Sequence, residues 1–223
     1  MLLNRMVKAV ARPFDERFDL TNRLHKSLFN KPVPEHARRY YFCFGGITFF
    51  LFCVQAITGM LLTMYYIPSS DQAYSSTFYI SNYVSYGWLI RSVHNWGAQL
   101  MVIFVVMHML RVYVTASYKP PREYNWVVGM ILLLITMGFS LTGYLLPWDQ
   151  RAYWGSTVTI SLVEKVPFIG KTMSYIIMGG ERLGQATLTR FFSAHIMVLP
   201  ATLFLFVFAH FWMIRKQGIS GPM

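Results

Sequence analysis

Residues 87–115 read GWLIRSVHNWGAQLMVIFVVMHMLRVYVT, and from Ser92 to Leu110 they contain no Asp, Glu, Lys or Arg. A bilayer core about 30 Å thick takes about 20 helical residues, so this run is long enough to cross one. It also carries two imidazoles, His94 and His108, inside the charge-free stretch. Ionisable groups at membrane depth are costly and are kept for function.

Three further charge-free runs flank it, from Tyr40 to Ser70, Tyr124 to Trp148 and Phe191 to Ile214. Of the 223 residues, 55% are apolar and only 13% charged, about half the charge of an ordinary soluble domain. Four such runs exclude a soluble globule, a disordered tail and a nucleic-acid-binding module. The net charge of +11 therefore points to a membrane surface and not to DNA or RNA. The expected fold is all-α, a four-transmembrane-helix bundle with spans A (about 40–66), B (87–115), C (125–146) and D (191–214).

Residues 1–39 hold nine of the twenty Lys and Arg. Met6–Phe29 mixes apolar residues with Arg12, Arg17, Arg23 and Lys26 and reads as an amphipathic helix on the membrane surface; a solvated basic tail is the plainer alternative. Residues 40–223 form the membrane domain. The A–B loop has no Lys or Arg, the B–C loop has Lys119 and Arg122, and the tail after D has Arg215 and Lys216. By the positive-inside rule the N-terminus, the B–C loop and the C-terminus face the cytoplasm. Spans B and D are then parallel. The 147–190 connection lies outside, and within it Ser156–Val166 reads as a short surface helix.

Of six histidines, His25 and His36 fall in the basic tail, and the others lie in B and D. His94 and His108 are 14 residues apart, 40° short of four turns at 100° per residue; His195 and His210 are 15 apart, 60° past four turns. Each pair thus lies on one face of its helix, about 21 Å apart along the axis. In parallel helices His94 is level with His195 toward the outside and His108 with His210 toward the inside. Two facing imidazoles at two depths suit two bis-histidine b haems. Zinc fits less well, because no Cys, Asp or Glu stands near them in the spans.

Gly45 and Gly59 in span A are 14 apart, as are Gly129 and Gly143 in span C. Glycine leaves a helix face smooth enough for a flat macrocycle; one such pair alone would favour ordinary small-residue helix packing, but two pairs that match the histidine period favour haem. Arg91 precedes His94 by three residues and Arg111 follows His108 by three. Both are placed to bond haem propionates, or to snorkel to the interface. Cys43 and Cys53, both in span A, are too far apart on one helix for a disulfide, and read as inert thiols.

The motifs FCFGGITFF (residues 42–50), GWLIRSVHNWGA, HMLRVY, KPPREYNWVVG, LTGYLLPWDQ, TLTRFFSAH and HFWMIRKQGISGP together resemble the short-form (split) cytochrome b of quinol:cytochrome reductases, the cytochrome b6 type. The resemblance covers nearly all of the chain from Pro34. It implies a low-potential outer b haem on His94 and His195 and a high-potential inner b haem on His108 and His210. It also implies a third, c-type haem attached covalently through Cys43, with Arg215 near its propionates. Leu141, Gly155 and Thr159 match positions of the outer quinol pocket. Asn95 departs from the pattern, since relatives often carry a basic residue after this histidine. The implied partners are a second, three-helix cytochrome b subunit (subunit IV type), a Rieske iron–sulfur protein, a c-type cytochrome, quinol and quinone, and membrane lipid, in a homodimeric complex without nucleic acid. The implied location is a bacterial plasma membrane or a thylakoid-type membrane. The chain is expected to be catalytically incomplete alone.

Overall fold

The computed structural model describes Glu35 and residues 43–220. The expected N-terminal surface helix, His25, His36 and the first residues of span A lie outside the described residues. Those described form helices α1 (Phe44–Thr63), α2 (Ala73–Asn82), α3 (Gly87–Val114), α4 (Glu123–Leu145), α5 (Gln150–Glu164), α6 (Gly170–Met178), α7 (Gln185–Ser193) and α8 (Leu199–Gln217). A five-residue π turn, Ala194–Val198, joins α7 to α8. No strand occurs among the described residues.

Four helical stretches are long and apolar enough to cross a bilayer: α1, α3, α4 and the continuous Gln185–Gln217 rod. Their exteriors are apolar. Phe50, Leu134 and Phe208 are 65%, 66% and 66% exposed, whereas Thr58, Thr136 and Thr142 are buried. Water-soluble helices show the reverse arrangement, so lipid is the solvent that this surface fits. The chain is an integral membrane protein.

The chain divides into two compact units. Of the described residues, the first comprises residues 43–47, Phe104–Leu134 and residues 203–220. In it the α3–α4 loop is tied to the end of α8: Gln217 Nε2 donates to the Pro121 carbonyl at 2.9 Å, and the hydroxyls of Ser117 and Ser220 meet at 2.6 Å. Tyr113 stacks on Tyr118, which packs on Trp126. Such aromatic rings suit the boundary between apolar and polar surroundings.

The second unit comprises Thr48–Ile103 and Ile135–Thr202. Its core is Leu145, Ile160 and Phe191, with Leu141, Leu146, Trp148, Ile177 and Met178 packed around them. The Tyr66 hydroxyl donates to the Leu146 carbonyl at 2.7 Å, and burial raises that phenol's hold on its proton. Helix α5 starts at Gln150, six residues before the surface helix read from the sequence, because Asp149 caps it by accepting the Ala152 N–H at 2.7 Å. Helix α7 begins six residues before the apolar run of span D. Its first residue, Gln185, is pinned by two bonds, to the Pro68 carbonyl at 2.9 Å and from the Ser70 N–H at 2.7 Å. Helices α2 and α6 escape the sequence reading because both are short and fall between the spans.

Candidate functional site: two pairs of imidazoles

The four histidines of α3 and of the Gln185–Gln217 rod meet as two pairs. In the second unit the rings of His94 and His195 stand 6.4 Å apart, centroid to centroid, at an interplanar angle of 68°. In the first unit His108 and His210 are also 6.4 Å apart, at 83°. Metal–nitrogen bonds to imidazole are about 2.0–2.1 Å. Two of them in line, plus about 1.1 Å from each nitrogen to its ring centre, span roughly 6.3 Å. The centroid distances of both pairs match that span, so each pair would fit a metal held between its two imidazoles. No group of three or more His, Cys, Asp or Glu that could hold a metal converges among the described residues. A metal held by two imidazoles alone needs its equatorial donors from outside the protein, as a porphyrin supplies them.

The unequal spacing of the two pairs is resolved within the rod itself. An i→i+5 bonded turn has about 4.4 residues per turn, or about 82° per residue, against 100° in an α-helix. Of the π turn Ala194–Val198, the four steps from His195 to Leu199 lie between the two histidines, and over them the rod loses about 70° of winding. The 15-residue spacing then falls about 10° short of four turns, within about 30° of the 14-residue pair on α3. The π turn takes up the extra residue, and His195 lies within it.

Each glycine of the 14-residue pairs faces one of these imidazoles. A Cβ on Gly45 would stand 3.0 Å from Cε1 of His108, one on Gly59 would stand 3.1 Å from Cε1 of His94, and one on Gly143 would stand 2.7 Å from Cε1 of His195. Gly129 is looser, at 3.8 Å from His210. The missing side chains leave room for the imidazole edges.

Hydrogen bonding separates the pairs. Thr58 Oγ1 donates to the Val54 carbonyl at 2.7 Å and lies 2.8 Å from His94 Nδ1. Thr142 Oγ1 donates to the Gly138 carbonyl at 2.7 Å and lies 3.0 Å from His195 Nδ1. Each hydroxyl spends its single proton on a carbonyl, so each Nδ1–H donates to the hydroxyl and Nε2 is left free. Among the described residues His108 Nδ1 and His210 Nδ1 have no hydroxyl partner, while backbone carbonyls face three of the rings, Gln55 toward His94, Phe139 toward His195 and Asn125 toward His210. The sequence reading missed both threonines. A signal existed: Thr58-Gly59 and Thr142-Gly143 repeat at a spacing of 84 residues, the same spacing that separates Gly45 from Gly129.

The other expected residues distribute as follows. Arg91 donates to Ser81 Oγ at 2.8 Å and lines a cavity of about 230 Å³ with Tyr74, Thr77, Phe78, Pro147 and Asp149. Arg111 sits in the last turn of α3, its charge near His108, and Arg215 in the last turn of α8, where cations complement the helix dipole. Cys43 precedes α1 and is exposed, unlike an inert core thiol, while Cys53 is partly buried and neither forms a disulfide. Leu141 packs on the Leu145–Ile160–Phe191 core. Thr159 Oγ1 donates to the Gly155 carbonyl at 2.9 Å, and Gly155 faces the Tyr144 ring, where a Cβ would come within 2.7 Å. Tyr144 is a further pocket candidate that sequence reading did not single out.

An all-helical membrane protein with paired imidazoles on two of its spans defines the class of membrane-bound b-type cytochromes. The Cytochrome b/b6/petB family model matches residues 28–218, and the chain belongs to this family. It is 47% identical over 210 residues to the cytochrome b6 of Mastigocladus laminosus, covering 94% of this chain and 97% of that one. The cytochrome b6 of Prochlorococcus marinus is likewise 47% identical, with 94% and 95% covered. Among solved structures, a chain of a hyperthermophilic respiratory Complex III superposes with a TM-score of 0.77 at 30% identity. That match covers 95% of this chain and 56% of the Complex III chain.

Proposed function

We propose that this chain, the cytochrome b subunit of a quinol:cytochrome reductase, carries electrons across the membrane from quinol oxidised at the outer face to quinone reduced at the inner face, coupled to proton release outside and uptake inside. His94 and His195 hold one b haem through its iron, and His108 and His210 hold the other. Each haem, when bound, supplies a reversible one-electron ferric–ferrous couple. The observation that carries this reading is the pair of imidazole gaps, each 6.4 Å between ring centroids.

The chain's own residues bind and orient. The glycines admit the imidazole edges, and Thr58 and Thr142 hold the tautomer that leaves Nε2 to the metal. Arg91 and Arg111 supply cations for propionates. Cys43 attaches a third haem by one thioether, with Arg215 as the cation for it. The exposure of the Cys43 thiol at the start of α1 supports that assignment. Quinol binds near Leu141, Gly155 and Thr159, and the half-site is completed by a second, three-helix subunit. A Rieske iron–sulfur protein and a c-type cytochrome take the other electron, in a homodimeric assembly with both termini cytoplasmic.

A reduced-minus-oxidised spectrum of membranes containing the complex tests the reading together with a haem stain after denaturing electrophoresis. The wild type is expected to show two b components and a stained band at 25.9 kDa. His108→Ala is expected to remove one b component and spare part of the other, and Cys43→Ser to abolish the stain while both b components persist. A wild type without b bands would end the proposal, and a stain surviving in Cys43→Ser would end the attachment site.

A further inference from the structure

We infer that Thr58 and Thr142 are positioning residues that set the reduction potential of the outer site below that of the inner one, by hydrogen-bonding the Nδ1–H of His94 and His195. The inference rests on the reading of the four histidines as axial ligands. It is carried by an asymmetry present in both the structure and the sequence.

Both outer imidazoles have a threonine hydroxyl within 3.0 Å of Nδ1, and each hydroxyl is itself anchored 2.7 Å from the carbonyl four residues back. The anchoring uses up the hydroxyl proton, so the oxygen presents only lone pairs to the ring. Both inner imidazoles leave Nδ1 without such a partner. The cause lies in one position. The residue before each glycine is Thr58 or Thr142 at the outer pair, and Phe44 or Val128 at the inner pair. A phenyl ring and an isopropyl group have no acceptor, so the inner site cannot form this bond from the equivalent place on α1 or α4.

The chemical consequence follows from charge. An imidazole that donates its Nδ1–H strongly takes on imidazolate character and becomes a better donor through Nε2. A ferric ion gains more from that donation than a ferrous ion. The oxidised form is therefore favoured where the threonines are, and second-sphere hydrogen bonding is one of the protein's levers on haem potential. An electron arriving at the outer pair then finds the inner pair downhill. Other differences between the sites add to the gap, but these hydroxyls give it a sign.

Equilibrium redox titration of the b bands in the purified complex is the test. Removing one hydroxyl, as in Thr58→Val or Thr142→Val, is expected to shift the outer couple about tenfold toward the reduced form, 59 mV for a one-electron couple. The double variant should shift it further. The inner couple should not move, and Thr58→Ser or Thr142→Ser should stay near the wild type. The reciprocal variant Val128→Thr is expected to lower the inner couple. An outer midpoint that stays put in the valine variants overturns the inference, as does a parallel shift of both couples. If the valine variants do not assemble, pulsed EPR of the oxidised wild-type complex decides instead. The remote imidazole nitrogens should then show two distinct quadrupole couplings, one for each site, and indistinguishable couplings would refute the assignment. Loss of all b bands from the wild type is a separate result, and it would refute the ligand reading itself.

Discussion

At Gly143 a single methyl group would stand 2.7 Å from an imidazole carbon, closer than side-chain carbons approach one another. His195 is in the π turn and its Nδ1 is held by Thr142, so it cannot swing aside freely. Gly143→Ala is therefore expected to displace the ring by several tenths of an ångström and, on the proposed function, to lower haem occupancy at the His94–His195 pair several-fold. Gly129→Ala meets its first neighbours at 3.7 and 3.8 Å, ordinary contact distances, and is expected to leave occupancy near the wild type. Haem-to-protein ratios of the two purified variants check the contrast. The sequence displayed all four glycines at the right period, yet their duty was visible only with the rings in place. A period says which face a residue occupies, and it does not say which atom sits opposite.

At the scale of elements, the rod from Gln185 to Gln217 carries the least expected feature. Hydropathy showed a span, and arithmetic showed a 100° discrepancy between the two histidine spacings. The π turn, which removes about 70° of winding between His195 and His210, takes up most of it. Met197 lies in that turn and is 68% exposed, so its side chain contributes little packing. Deleting Met197 is expected to convert the turn to α-helix and retain both b components in the difference spectrum. Deleting Leu205, equally exposed at 66% but in regular α-helix, rotates the two ends against each other by about 100° and is expected to cost at least one component. The short helices show what hydropathy misses. Helix α6 ends at Gly179, whose φ of +76° suits glycine, and a Cβ there would meet Ala186 and Arg190 at 2.9 Å. Such stops depend on neighbours from other helices, and α2 and α6 carry no long apolar run to announce them.

For the whole molecule, the apolar exterior defines a protein solvated by lipid, and the skewed placement of Lys and Arg underlies the proposed orientation. The proposed orientation predicts that Lys119→Cys and Ser161→Cys, both in water-facing segments, label with a membrane-impermeant maleimide from opposite sides of sealed vesicles. Labelling of both from one side would invert or collapse the topology. The number of spans, their lengths and the pairing of histidines by depth all follow from the order of residues along the chain. Charge-free length and angular period are properties of a single helix, and the membrane makes them decisive. The sequence alone left undecided which ring meets which glycine, which hydroxyls reach Nδ1, and why His195 and His210 tolerate an extra residue between them. Those contacts depend on how far each helix is turned about its own axis and on a local change of winding. Side chains from several helices set both together, and no single stretch of the chain contains that information.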